Sequence, residues 1–199
     1  MTVLLYKELS VAVLGGGNCA HSLSCYLSKL GCSVHMWVRN LSHLCPYVVK
    51  EHNIRAYGKM EGNFCLYSVS SDLEKSVRNC QIIFVATVTT AYRDIAARLA
   101  PYLEPGQIVV VFSSKLAGSV EFEHTLRECN PDLKDEITVV ETDALFASRL
   151  QPDGKIWVRG IKRWNLVCTP QRRNLEKVFL LMQTLFPGLK PADNVIQRG

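Results

Sequence analysis

The chain has 199 residues, 48 % of them hydrophobic and 21 % charged, with no Gly/Ser, Gln or Pro tract and no solenoid-period repeat; this excludes a disordered or repeat architecture and fits one packed core. The net charge of +5 is spread out, with only Lys162-Arg163 and Arg172-Arg173 adjacent and no aromatic residues interleaved, so no nucleic-acid partner is expected. Met1 to Tyr6 lacks a basic, apolar leader pattern, no run approaches the roughly eighteen apolar residues of a membrane span, and the eight cysteines show neither CxxC nor Cys/His ligand spacing, so the expectation is a cytoplasmic protein without membrane or metal site.

In chain order, Val11 to Leu14 reads as a buried strand that breaks into Gly15-Gly16-Gly17. A helix is predicted from about Cys19 to Leu30 on the recurrence of Leu23, Tyr26, Leu27 and Leu30, closed by Gly31. Val34 to Val38 makes the second strand, and Ser42 is placed to cap a shorter helix to about Lys50, with Pro46 leaving its start open. Phe64 to Val69 reads as the third strand and Asp72 to Arg78 as a helix. Ile82 to Ala86 and Ile108 to Phe112 are apolar enough for central strands, each followed by a helix, about Thr90 to Leu99 and Val120 to Cys129. Ile137 to Val140 is a sixth strand. Lys155 to Gly160 and Asn165 to Cys168 read as antiparallel strands extending the sheet, with Trp157 and Trp164 buried in them, and Arg173 to Phe186 as a closing helix.

Strands alternating with helices at this pace predict a doubly wound, Rossmann-type α/β fold: a parallel sheet with helices on both faces, extended by the late antiparallel strands. Within it, Gly15-Gly16-Gly17-Asn18-Cys19-Ala20 matches GxGxxA between a predicted strand and a predicted helix. In this motif Gly15 allows the turn, Gly17 lets the backbone approach a pyrophosphate, Ala20 permits close helix packing, and the helix N-terminus offers N–H donors to the phosphates. A tight structural turn is the plainer alternative. No Asp or Glu lies between Gly15 and Asn40 to bond a ribose 2′-hydroxyl, and the second strand ends in Arg39-Asn40, which favours NADP over NAD.

Beyond the motif, the stretch Val11 to His21 (VAVLGGGNCAH), Leu103 to Val110 (LEPGQIVV), Glu121-Phe122, Glu141-Thr142 and Leu185 to Leu189 (LFPGL) together resemble the octopine/nopaline (opine) dehydrogenase family. The resemblance implies an NAD(P)-dependent oxidoreductase that joins a 2-oxo acid to an amino acid, the imine of the two accepting hydride from the nicotinamide. It also implies that residues 1–199 form the dinucleotide-binding domain, with a C-terminal substrate domain outside this chain. On that reading Gly15, Gly16, Gly17, Asn18, Cys19 and Ala20 hold the pyrophosphate, and Arg39 and Asn40 the adenosine end. Ala86, Thr87, Val88 and Thr89 then lie beside the nicotinamide ribose. The chain departs from the family in two loops: residues 86–92 read ATVTTAY where members carry Pro and a following His, and 113–118 read SSKLAG where members are glycine-rich.

Four residues are candidates for contact with a small-molecule substrate: Lys115 after the fifth strand, and Glu141, Thr142 and Arg149 after the sixth, Arg149 because its guanidinium suits a carboxylate. His21 is expected to pack or cap rather than donate a proton, and His43, His52 and His124 to lie on the surface. The partner expectation is a small molecule, with either a homodimer or the missing C-terminal domain completing the site. Two alternatives stay open. One is a glycerol-3-phosphate or 2-oxo-acid reductase cofactor domain, which shares the same first half. The other is a non-catalytic dinucleotide-sensing module, which a native stop after Gly199 rather than a further helical region would favour.

Overall fold

The computed structural model describes residues 9–114, 117–133, 136–170 and 175–194. In chain order the elements are β1 (Ser10–Leu14), α1 (Asn18–Leu30), β2 (Ser33–Trp37), α2 (Pro46–Glu51), β3 (Asn53–Gly58), β4 (Gly62–Cys65), β5 (Ser68–Ser70), α3 (Leu73–Val77), β6 (Ile82–Val85), α4 (Tyr92–Leu99), β7 (Ile108–Phe112), α5 (Gly118–Cys129), β8 (Thr138–Thr142), β9 (Phe146–Leu150), β10 (Ile156–Ile161), β11 (Asn165–Cys168), α6 (Leu175–Leu185) and β12 (Leu189–Pro191). Short 3-10 turns link several of them.

The main sheet runs β12-β11-β8-β7-β6-β1-β2-β5. Its six strands β5-β2-β1-β6-β7-β8 are parallel, and the chain winds outward in both directions from the β1/β6 pair, where Val11 faces Ile82 and Leu14 faces Val85. That pair is the topological switch point, the place where an open α/β sheet leaves a crevice at its carboxyl edge. β1, β6 and β7 are apolar without alternation because both faces are covered. One face carries α3, α4 and α5 on Ala12, Leu14, Ile83, Val85, Val109 and Val111. The other carries α1 and α6 on Val11, Val13, Phe84, Val110 and Phe112. At roughly 1.5–3 kcal/mol for each fully buried large aliphatic side chain, these two cores supply most of the drive to fold.

A second sheet, β4-β3-β10-β9, lies over α1. Ile54, Ala56, Phe64, Phe146, Ile156 and Val158 face inward, while Arg55, Tyr57, Asn63, Arg149 and Trp157 face out. Four expectations are corrected. The 64–69 stretch is two strands in different sheets: Leu66 N donates to His52 O and Tyr67 N to Val34 O as the chain crosses from one sheet to the other. β10 does not extend the main sheet but pairs in parallel with β3, and only β11, antiparallel to β8, extends it as expected. Trp157 and Trp164 are 39 % and 58 % exposed, Trp157 stacked on Tyr57 and Trp164 beneath the Lys190 ammonium. The helix expected from Ser42 to Lys50 starts only at Pro46, because Asn40 caps a separate 3-10 turn by accepting from Ser42 N. Of the closing helix, residues 173 and 174 lie outside the described residues.

Candidate functional site

α1 begins one residue beyond the glycines, and its N-terminus has no side-chain cap and no acidic residue in its first turn. The helix therefore presents its unpaired N–H groups and positive end to the cleft. The three glycines differ in what a side chain would meet. Gly15 has φ +139, and a Cβ there would stand 2.4 Å from the Ala86 carbonyl oxygen, so the β1 and β6 ends meet only because it has no side chain. A Cβ on Gly16 would press within 3.1 Å of Val38. At Gly17 a Cβ would meet nothing within 4 Å, because that position faces open space.

The cleft there has a volume of about 730 Å³ and is walled by the carboxyl ends of four adjacent strands. Gly15 to Cys19 follow β1, Trp37 to Asn40 follow β2, Ala86 to Thr89 follow β6 and Ser113 follows β7, with His43, Leu44, Ala91 and Ile95 closing the sides. Of the twelve residues expected to hold a cofactor, eleven line this one cleft; Ala20 is fully buried beneath the turn, its Cβ packing toward Gly15. Burial pushes the Cys19 thiol up to about 12, so it stands in the cleft wall as a neutral group. Thr87 Oγ1 is buried in the wall and has no hydrogen-bond partner among the described residues. A diphosphate dinucleotide fits this donor set: an uncapped helix end, an orphaned hydroxyl, and a glycine whose missing side chain leaves the approach open.

The turn is also tied from behind, by residues that the sequence reading did not single out. Asn18 Oδ1 accepts from Leu150 N at 2.7 Å, and the Ser22 and Ser148 hydroxyls, 2.6 Å apart, both reach the Asn18 carbonyl. The β9 strand thus clamps the residue that opens α1. Its only sequence signal is the alternation of Phe146, Ser148 and Leu150 with Ala147 and Arg149. His21 sits one turn in, almost fully buried, its Nδ1–H donating to Gly17 O at 3.0 Å, the packing role expected of it.

Of the residues expected to touch substrate, the three that are described do not converge. Lys115 lies outside the described residues. Glu141 is fully buried at the end of β8, its Oε2 accepting from Ser119 N at 2.7 Å at the start of α5. Thr142 is equally buried and donates to Leu166 O at 2.9 Å, tying β8 to β11. Arg149 is exposed on β9, bordering a separate hollow with His21, His43 and Gln151. Removing the Glu141 carboxylate leaves the Ser119 N–H at the start of α5 unpaired in the core, so Glu141→Ala is expected to cost about 3 kcal/mol in urea unfolding, and Glu141→Gln about half as much. An unchanged midpoint for both would show that the carboxylate has no structural role.

A buried and a half-buried histidine give a pH dependence. His21 beside Gly17, and His35 between the Ser10 and Ser68 hydroxyls, have their pKa held below the ordinary 6.5 by burial, which for His21 outweighs the opposing Gly17 carbonyl. The unfolded chain then takes up protons that the folded one refuses, so this stability is complete above pH 6.5 and is lost as pH falls below it. Each histidine contributes at most about 1.4 kcal/mol per pH unit. Urea midpoints should therefore drop by about 1–2 kcal/mol from pH 7.5 to 5.5. His21→Gln should shrink the drop, and a midpoint flat over that range would contradict the assignment.

Residues 10–139 match the family described as NAD-dependent glycerol-3-phosphate dehydrogenase N-terminus. An opine dehydrogenase of Arthrobacter sp. (strain 1C) is 28 % identical over 168 residues, 83 % of this chain and 46 % of that protein. A glycerol-3-phosphate dehydrogenase [NAD(P)+] of Acinetobacter baylyi is 27 % identical over 134 residues, 63 % of this chain and 35 % of that protein. Among solved structures, an octopine dehydrogenase with NADH and pyruvate superposes with a TM-score of 0.76 at 19 % identity, over 94 % of this chain and 51 % of that one, a likeness of fold. The chain spans less than half the length of either curated relative. Among the described residues no helix is long and apolar enough to cross a membrane.

Proposed function

Because the chain is an NAD(P)-binding dehydrogenase domain and belongs to the family of the NAD-dependent glycerol-3-phosphate dehydrogenase N-terminus, we propose that it is the cofactor-binding part of an opine-dehydrogenase-like oxidoreductase acting on the imine of a 2-oxo acid and an amino acid. One observation carries the reading: the only side-chain-free opening in the turn, at Gly17, stands at the switch point in front of an uncapped helix end. The N–H groups at Gly17, Asn18 and Cys19 hold the diphosphate, Arg39 and Asn40 bind the adenosine ribose end, and Thr87 to Thr89 orient the nicotinamide ribose. When bound, the nicotinamide supplies the two-electron reduction; the chain supplies position and field.

The imine substrate is supported by the reach of the opine dehydrogenase match, which covers 83 % of the chain where the glycerol-3-phosphate dehydrogenase match covers 63 %. A glycerol-3-phosphate substrate is the second reading, favoured by the family match over residues 10–139. Under either, the remaining wall of the substrate pocket comes from a further domain or from a second copy of the chain. Calorimetric titration with NADPH, NADH and ADP-ribose tests the cofactor claim directly. Binding in the range of about 1 μM to 1 mM is expected for all three, with ADP-ribose retaining most of the affinity. No heat with any of them at millimolar concentration would refute the reading. On the full-length protein, cofactor oxidation with a 2-oxo acid that requires an added amino acid would support the imine; oxidation with dihydroxyacetone phosphate alone would replace it with the second reading.

A further inference from the structure

Arg39, the residue placed to meet a 2′-phosphate, is already engaged. Its Nη2 lies 2.7 Å from Oδ2 of Asp94, in the first turn of α4 and next to Ile95, which lines the cleft. Arg98, one turn further along α4, comes within 4.0 Å of the same carboxylate oxygen while its guanidinium rests 5.3 Å from the Trp37 ring, itself part of the cleft wall. Asp94 thus stands between two cations, one of them the residue assigned to the adenosine ribose end. The Arg39 and Asp94 side chains are 60 % and 51 % exposed, so the pair is weak and open to exchange with a ligand anion.

We propose that Asp94 sets cofactor selectivity, by holding the Arg39 guanidinium as its own partner and so making a 2′-phosphate compete with a carboxylate for it. The inference rests on the dinucleotide reading of the cleft. It departs from the expectation drawn from Arg39 alone: a chain with a paired Arg39 discriminates little between the two cofactors, where an unpaired one would favour the phosphorylated form. NAD(H) carries a neutral hydroxyl at that position and loses nothing by the pairing. The phosphorylated cofactor gains the guanidinium only by displacing Asp94 from it.

The test is a set of dissociation constants for NADH and NADPH with the unaltered chain, Asp94→Asn, Arg39→Ala and the double variant. The unaltered chain should bind both within about tenfold of each other, and Asp94→Asn should move the ratio toward NADPH by roughly tenfold, mainly through tighter NADPH binding. In the Arg39→Ala background the same Asp94→Asn change should move the ratio by less than about threefold, because the guanidinium it would release is gone. An unmoved ratio, or the same shift in both backgrounds, would overturn the proposal. Should neither cofactor bind the unaltered chain, the cofactor assignment itself fails; that outcome is distinct from binding with an unmoved ratio.

Discussion

Gly17→Ala is expected to abolish dinucleotide binding while leaving the protein as stable as before. Gly17 has φ −91 and ψ −171, a conformation alanine adopts without strain, and its Cβ would meet nothing of the protein within 4 Å. The unfolded chain becomes slightly less flexible, so the melting temperature should hold or rise by a degree or two. The added methyl points into the space that a diphosphate must enter to reach the helix end, and one misplaced atom at a backbone cradle displaces every bond behind it. A loss of at least about 100-fold in affinity, close to 3 kcal/mol, is expected for NADH, NADPH and ADP-ribose alike. Calorimetry and a thermal melt on the same sample check both halves. Binding within threefold of the unaltered chain would remove Gly17 from the site.

Gly15→Ala should do the reverse, reaching binding only through the fold. Here the backbone sits at φ +139, a region that side chains rarely enter, and the new Cβ would lie 2.4 Å from the Ala86 carbonyl oxygen and 3.0 Å from its carbon. Both are backbone atoms of the β6 end. Ala86 N is held by Leu14 O and Gly15 N by Trp37 O, so neither strand can yield without breaking a bond at the switch point. Backbone strain of about 1–3 kcal/mol adds to a steric clash, and a total near 4 kcal/mol is expected in urea unfolding, with failure to accumulate as folded protein as the extreme outcome. A change under 1 kcal/mol would mean that the turn relaxes at little cost.

The central strands and the turn were legible because their signals are local. Four apolar residues running into glycines, as in Val11 to Gly17, admit few other structures, and the helix from Asn18 to Leu30 closes on Gly31 with φ +97 as its sequence spacing predicts. The second sheet was not legible. β3 is mixed in polarity and pairs with β10, about a hundred residues later, so no window of sequence contains the evidence for it. The 64–69 stretch looks continuous because its hydrophobicity is continuous, although the chain changes sheets within it. Trp157 was misplaced because β10 is covered on one face only, and Trp164 because it lies in the connection between β10 and β11, outside either strand.

The site divides the same way. The residues proposed from consecutive strand ends, Gly15 to Cys19, Arg39 to Asn40 and Ala86 to Thr89, come to one cleft because a Rossmann-type sheet aligns those ends. The contacts of Asp94 with Arg39 and of Ser148 and Leu150 with Asn18 were not legible, because each joins elements far apart in sequence. Burial also changes the meaning of Glu141 and Thr142, which sit at the end of β8 as expected but point into the protein, holding α5 and β11 in place.

In the proposed complex the first amides of α1 face the diphosphate. Amide chemical shifts of the ¹⁵N-labelled chain, followed while NADH is added, test it most directly. The largest changes should fall on Gly16, Gly17, Asn18 and Cys19, with smaller ones at Arg39 and at Thr87 to Thr89, and saturate together. Shifts that saturate elsewhere and leave residues 16–19 unmoved would contradict it.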